Sequence, residues 1–401
     1  MPNYLSDTSY LAIKTEANEG VAERPDIFVP LVSESVRTDP MHTADRRLKG
    51  VAWKSDDLLR GSRNHEGDVV VFADPDILAH LFNMTMKIGT STGGLGTDGF
   101  THPFTVGASK SYTIEMGKGD YAQRYVGVKG ENLKLQFVDG KLQAILTIKS
   151  MKQFSVGTLS TALTGAGMVT IVLKQQYDLN PTDGLVAGDV LVIEDSGTGL
   201  DVDCTIASVA ADGITITINA AEITAAINAP VRLKVQTPSY ASLQEPFFQG
   251  NTLVGVGADE ATASASAASK GLAVPFYELT LDKIQNLLSA PASGSMDPIQ
   301  LLPQTQEAKL SLSRLLEDSE QHRHWLDRVK QAITVIIKGK AIGAGLERFT
   351  WKFYNTKLIT NEEPLEAGAY IFDKQEFEAL MGNTFAIAVE VINRTSSTEF
   401  V

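Results

Sequence analysis

The sequence predicts a mainly β chain of antiparallel hairpins, with a small all-β module inserted into it. Two observations carry this. The stretch Lys110–Ser150 reads as four short segments separated by Gly or Asp-Gly. Within it Leu133, Leu135 and Phe137 alternate with Lys134 and Gln136, and Leu142, Ala144, Leu146 and Ile148 alternate with Gln143 and Thr147. Period two puts one set of side chains in a core and the other outside. Asp139-Gly140 between the runs is a hairpin signal, because a type I′ turn needs positive φ at both central residues. The second observation is a shift in composition. Residues 155–240 are rich in Thr, Val, Ile, Gly and Ala and poor in aromatics. Val169–Leu173, Val190–Glu194, Val202–Val209 and Ile214–Ile218 read as strands, and Asp195–Gly199 and Asp212-Gly213 as turns. About 80 residues is an ordinary domain size. The chain therefore divides into 1–153, an inserted module at 155–240, and 241–401.

Taken in order, residues 1–32 read as extended, with Leu11 and Ile13, then Ile27, Val29 and Leu31, alternating with other residues, and Pro25 and Pro30 opposing helix. Residues 33–67 are polar and of mixed charge, without periodicity. A loop of this length is either a solvated excursion or an arm that orders against a partner subunit. Residues 68–73 (DVVVFA) read as a strand. Asp74-Pro75 then opens a helix, with Asp as N-cap and Pro at the first helical position. Ile77, Leu78, Leu81 and Phe82 mark its apolar face, and Gly89 is expected to end it.

Residues 257–270 (GADEATASASAASK) read as a mobile low-complexity loop. Residues 272–281 read as a strand, and 289–304 as a second long loop. Strands at 307–313 and 332–338 bracket an expected amphipathic helix over 314–330, with Leu315, Leu316, Trp325, Leu326 and Val329 on one stripe. Closing strands are expected at 349–358, 369–371 and 385–392, with a helical turn at 374–381.

Charge and composition exclude several classes. The chain has 48 acidic and 35 basic residues, a net charge of −13. Such a surface does not seek nucleic-acid phosphates, whose affinity comes from Lys and Arg. Cys204 is the only cysteine, so no intrachain disulfide and no cysteine-based metal site is expected. The first twenty residues show no basic region followed by an apolar run, and no apolar stretch reaches about 18 residues, the length of a membrane span. Assembly in a cytoplasm and no membrane insertion are expected.

No catalytic, cofactor or metal residues are nominated. There is no Gly-x-Ser-x-Gly elbow and no His-Glu-x-x-His. The histidines at 42, 65, 80, 102, 322 and 324 are scattered, and His322 and His324, two apart, point to different sides of a helix. Gly94-x-Gly96-x-x-Gly99 matches a dinucleotide fingerprint in letters only, since it follows a helix and runs toward a strand. It reads as a flexible loop, and the chain is not expected to be an enzyme.

Several stretches resemble the major tail tube proteins of long-tailed, siphovirus-like bacteriophages. Leu11–Gly20 (LAIKTEANEG) is similar to the family's common start. The long polar loop, with Leu59-Arg60-Gly61-Ser62-Arg63, is similar to its extended loop, and Gly67–Leu81 (GDVVVFADPDILAHL) to its strand and short helix. The meander from Tyr125 to Ile148, the region Leu315–Leu326 and the late strands match in character. The resemblance covers roughly 1–153 and 241–400 and rests on order and spacing; the 155–240 module departs from it. It implies a β-sandwich or barrel with flanking helices, six subunits to a ring, and rings stacked into a tube through which DNA passes. The module would sit on the outside of the tube. The implied partners are copies of the chain itself and other tail proteins (tape measure, terminator, baseplate), in a virion tail, with no cofactor and no specific DNA binding. Lumen-facing strands within 110–150 and 331–392 are expected to carry net negative potential, so that the genome slides. The alternatives are a baseplate or distal tail protein and a β-rich glycan-binding protein of the host surface. Against the latter, 155–240 holds no Trp and only Tyr177 and Tyr240.

Overall fold

The computed structural model describes residues 9–39, 43–44, 58–59, 62–94, 98–154, 156–175, 180–240, 244–269, 274–291, 297–315, 320–362, 372–381 and 386–400. Its architecture is mainly β, as the alternation predicts. The chain opens with β1 (Tyr10–Thr15), β2 (Ile27–Val29), β3 (Leu31–Glu34) and β4 (Arg37–Asp39). Next come the two-residue β5 (Thr43–Ala44) and β6 (Leu58–Leu59), then β7 (Asn64–Phe72). β3 and β4 both pair with β7, and Thr43 lies opposite Leu59. The flanks of the polar stretch 33–67 are therefore strands that fold back on one another, not a loop. The rest of that stretch lies outside the described residues.

Helix α1 (Pro75–Thr85) starts as predicted. Asp74 accepts the Ile77 N–H at 2.8 Å, and Pro75 occupies the first position. It ends four residues before Gly89, because Lys87 and Ile88 form β8 (Lys87–Ile88), which pairs with the later strand β10. All but one of its residues are buried, so it is a core helix and not a surface one. Phe82 stacks on Phe349 at 5.6 Å and meets Trp351 edge-on at 5.5 Å. Two of its buried polar side chains share one partner: His80 Nδ1 and Asn83 Nδ2 both reach Tyr112 Oη, at 3.1 and 2.9 Å.

β9 (Thr92–Gly94) and β10 (Gly99–Thr105) follow, then β11 (Tyr112–Lys118), β12 (Tyr121–Val138), β13 (Lys141–Ser150) and β14 (Lys152–Phe154). The four segments expected in 110–150 are three strands, because β12 joins two of them. β12 runs unbroken for 18 residues and serves two sheets. Its first half pairs with β11 and β14; its second half pairs with β13. A bulge between Gly130 and Asn132 marks the change. Asp139 and Gly140 have φ of 51° and 74°, the two positive angles that the hairpin turn requires.

Residues 156–233 form a separate six-stranded sheet. Its strands are β15 (Val156–Thr158), β16 (Leu163–Val172), β17 (Val190–Glu194), β18 (Asp201–Val209), β19 (Thr215–Ala225) and β20 (Pro230–Leu233), in the order β15-β20-β17-β18-β19-β16. A bridge between Leu159 and Leu173 ties the two edge strands. Leu191, Ile193, Cys204, Ile216, Ile218 and Val231 belong to a core distinct from the main one.

The second half of the chain departs from expectation in several places. Residues 257–270 are not a loop: after β21 (Thr252–Gly257), Asp259 caps α2 (Glu260–Ala268) by accepting the Thr262 N–H at 2.8 Å. Ala263 and Ala267, one turn apart, bury the helix against β21, where only glycine fits. A Cβ on Gly255 would lie 2.1 Å from Ala263 O. The expected strand at 272–281 is shifted to β22 (Glu278–Ile284). The described residues of 289–304 are not a loop either, because β23 (Leu287–Pro291) and β24 (Pro298–Pro303) pair with each other. Among the described residues of 314–330, the expected helix is α3 (Glu320–Leu326). Arg314 and Leu315 belong to β25 (Glu307–Leu315), whose alternation runs on, and Arg328, with φ 53°, ends the helical turn.

The chain closes with β26 (Lys330–Ile342), β27 (Gly345–Glu362), β28 (Phe372–Ala379) and β29 (Ile387–Asn393). The helical turn expected at 374–381 is the strand β28, held by β25 on one side and β27 on the other. Tertiary pairing overrides its weak local preference. The strand expected at 369–371 lies outside the described residues.

In the main sheet β7, β13, β12, β22, β25, β28 and β27 are neighbours in succession. β27 also pairs with β26 along its other edge and with β29 ahead of β28. Leu133, Leu146, Leu310, Phe349, Trp351, Val389 and α1 share one core.

Candidate functional site

Outside the core, the run β13-β12-β22-β25-β28 presents a largely polar face that ends on Val70 and Phe72 of β7. Each of these strands alternates. Leu133 and Leu135 of β12, Leu279 and Leu281 of β22, Leu310 and Leu312 of β25 and Phe377 of β28 point into the core. The residues between them form rows across the outer face. One row runs Gln143, Gln136, Thr280, Ser311, Glu376. The next runs Ile145, Lys134, Asp282, Lys309, Glu378.

Several lysines of this face stand beside acids, while Lys141 lies over the Phe72 ring, 5.5 Å from its centre. Asp282 lies between Lys134 and Lys309. Burial pushes its carboxyl up, and the two ammonium groups pull it back. Lys309 also lies 3.9 Å from Glu376, Lys149 bonds Glu131 at 2.6 Å, and Lys374 opposes Glu362. The uncharged groups bond along the rows: Gln136 Nε2 donates to Gln143 Oε1 at 3.2 Å, and Thr147 Oγ1 to Asp68 at 2.6 Å. The result is a broad, largely polar face on which Lys134, Lys149, Lys309 and Lys374 each have an acid for a neighbour. Such a wall has no cationic row to hold a phosphate backbone.

The stretches 110–150 and 331–392, expected to carry a negative face, supply only some of the strands of this one. β12, β13 and β28 contribute, but β22 and β25 complete the face. β26 does not join it, since Thr334 lies under α2, where Ser264 Oγ is 3.2 Å from Thr334 Oγ1. Strands were expected near both β22 and β25, and the alternation of Thr280 with Asp282 and of Lys309, Ser311 and Ser313 was the signal that could have placed them on this face.

The other residues weighed from sequence do not converge. Gly94 pairs with Gly99 across the hairpin β9–β10, so the glycine pattern turns a strand and does not open a helix. His65 Nδ1 bonds Thr38 Oγ1 at 2.8 Å and its Nε2 bonds Asp297 at 3.1 Å. His80 and His102 flank the buried Phe400 ring, each at 4.6 Å. Burial lowers both, His80 to about 3, which keeps them neutral. His324 Nδ1 is 2.5 Å from Gln331 Nε2. His42 and the side chain of His322 lie outside the described residues. Among the described residues no group of three His, Cys, Asp or Glu could hold a metal ion, and no helix is long and apolar enough to cross a membrane. Buried Cys204 has its thiol pushed up to about 11 by burial and by Asp203, which disfavours the thiolate.

No family model matches the chain, and no curated protein matches it.

Proposed function

We propose that the chain is a structural virion protein, the tail tube subunit of a long-tailed bacteriophage. Subunits form hexameric rings, rings stack into a tube, and the polar face of β7-β13-β12-β22-β25-β28 lines the bore through which DNA is delivered. The observation that carries this reading is that face itself. It is largely polar, and Lys134, Lys149, Lys309 and Lys374 each stand beside an acid. A conduit for DNA needs such a surface: wettable, rigid and without a row of free cations. The antiparallel fold around a buried helix, the paired flanks of the stretch 33–67 and the likeness of Leu11–Gly20 and Gly67–Leu81 to the family support the same reading. The six-stranded module is then an appendage, placed on the outer wall. The partners are other copies of the chain and the tape measure, terminator and baseplate proteins, and the location is the virion tail.

The test is negative-stain electron microscopy of the purified chain at several concentrations. Rings or hollow tubes with an axial repeat are expected. Particles that stay monomeric at every concentration and bind glycan arrays would replace this reading with a surface-binding protein.

A further inference from the structure

Where β1, β2, the start of α1 and the C-terminal segment 394–400 meet, the surface sinks into a cleft of about 720 Å³. Its acids and its apolar groups come from different elements. Asp74 and Asp76 enter from the start of α1 and Glu399 from the C-terminal segment, while Ile27, Phe28 and Tyr240 come from β2 and from the segment leaving the module. Phe28 and Tyr240 meet edge-on, ring centres 6.4 Å apart. The cations of the cleft are already committed. Lys14 Nζ bonds Asp26 at 2.6 Å, and Arg394 Nε donates to Glu347 at 2.9 Å. Asp74 accepts the Ile77 N–H at 2.8 Å, and Asp76 accepts the Arg394 N–H at 3.1 Å and Thr395 Oγ1 at 2.8 Å, all of them neutral donors. Asp74, Asp76 and Glu399 thus have no cation of their own among the described residues. Burial, joined by the charges of Asp76 and Glu347, holds Asp74 up at about 7, and burial with the charge of Asp76 raises Glu399.

A second observation is independent of these acids. His80, 1% exposed, lines the same cleft. Its Nδ1 is bonded to Tyr112 Oη, and its Nε2 has no partner among the described residues. The ring is neutral, because burial and the charges of His102 and Lys14 push it down to about 3. By donating from Nδ1 to Tyr112 Oη, the ring offers the lone pair of Nε2 to the cleft. A buried acceptor left open in this way costs free energy until a donor reaches it.

The geometry points to a binding site for an alkyl diamine, whose ammonium groups meet Asp74, Asp76, Glu399 and His80 Nε2 and whose methylenes lie against Ile27, Phe28 and Tyr240. Charge selects the ligand. Four acids line the cleft, Asp26 with these three, against the two bases Lys14 and Arg394, an excess of two negative charges. A dication balances that excess and a single ammonium does not. The chain between the two charges matches the apolar side of the cleft, and the Phe28 and Tyr240 rings attract an ammonium by their faces. A metal ion is the poorer fit, since among the described residues no three of these groups stand close enough to hold one. The site stands apart from the tube reading and holds whether or not the chain forms tubes.

The test is isothermal titration calorimetry of the full chain with 1,4-diaminobutane and, separately, with butylamine. One saturable site per chain is expected for the diamine, with butylamine weaker by about tenfold or more, the worth of one charge-assisted bond. Asp74→Asn, which keeps the capping oxygen, and Glu399→Gln, at an exposed position where the melting curve should not move, should each weaken the diamine by about tenfold. Glu222→Gln, which removes an exposed acid of the module, should leave the affinity unchanged. Three results would overturn the site: no saturable binding of the diamine, equal affinity for butylamine, or a Glu222→Gln variant weakened as much as Glu399→Gln. The last would mean attraction to the acidic surface in general.

Discussion

Arg124 of β12 and Asp189 of the inserted module form a buried, two-bonded pair, with N···O distances of 2.5 and 2.9 Å. The same guanidinium donates to Glu115 of β11 at 2.5 and 3.1 Å and to Gly184 O at 2.9 Å. All of its N–H donors are thereby used. Burial works against its charge, and Asp189 and Glu115 overcome that and raise its pKa. Tyr10 Oη donates to Glu115 at 2.5 Å, and Gln236, on the way out of the module, donates Nε2 to Glu115 at 2.9 Å. One cation thus holds the entry, the exit and the body together.

Replacing Arg124 by Met leaves two carboxylates buried without their cation, and should destabilise the fold by about 3–5 kcal/mol. Combining it with Glu115→Gln and Asp189→Asn should recover much of the loss, because the stranded charges are gone. Urea unfolding of the single and triple variants checks this. Equal stability of Arg124→Met and the native chain would contradict it.

The aromatic contact of α1 with β27 gives a second expectation. Phe82→Ala removes a ring packed on Phe349 and Trp351 and should cost about 3–5 kcal/mol. Thermal unfolding followed by near-ultraviolet circular dichroism reads both the loss and the changed Trp351 environment.

Asp74 predicts a pH effect. Burial pushes its carboxyl up to about 7, the Ile77 N–H opposes this, and the charges of Asp76 and Glu347 add to it. An acid with a raised folded pKa binds more protons folded than unfolded. Its contribution is therefore full below about pH 4 and is lost as the pH rises toward about 7. Asp74→Asn keeps a capping oxygen without the charge. Its stability relative to the native chain should grow across that window, by an amount on the order of a few kcal/mol. A difference that does not change between pH 4 and 7.5 would refute this. His80 has the opposite sign, since a depressed histidine loses stability as the pH falls from about 6.5 toward 3.

The docking of α2 depends on the absence of a side chain at Gly255, where a Cβ would meet Ala263 O and Ala267 N at 2.1 and 2.4 Å. Gly255→Val should lift the helix from β21. Hydrogen exchange over 260–268 should then rise while exchange in β12 and β13 stays unchanged.

The same helix shows where sequence reading stopped. Strands with one clean apolar face, such as β12 and β13, were legible down to the turn at Asp139-Gly140, because burial and alternation coincide there. The cap at Asp74-Pro75 was legible because it acts locally. α2 was not, since its buried stripe is alanine, which carries almost no hydrophobic signal, and what buries it is a pair of glycines on another strand. β28 reads as polar and helix-tolerant on its own, and only its two neighbours make it a strand. The polar wall was half visible: its residues alternate in sequence, but nothing local says that Asp282 falls between Lys134 and Lys309. That follows from register across three strands.

That register makes Asp282 a sensitive position. Asp282→Lys would place three lysines in one row with no acid between them. It should give the chain a salt-dependent affinity for duplex DNA that the native chain lacks. Fluorescence anisotropy at two salt concentrations reads this, and unchanged, negligible binding would count against the neutralising role of Asp282.

The most direct measurement is a three-dimensional reconstruction, by electron cryomicroscopy, of assemblies grown from the purified chain. The account predicts a hollow tube with the rows of Gln136, Thr280 and Ser311 and of Lys134, Asp282 and Lys309 turned toward the bore, and the six-stranded module outside. A tube with that face on its outer wall, or a solid particle with no bore, would contradict it.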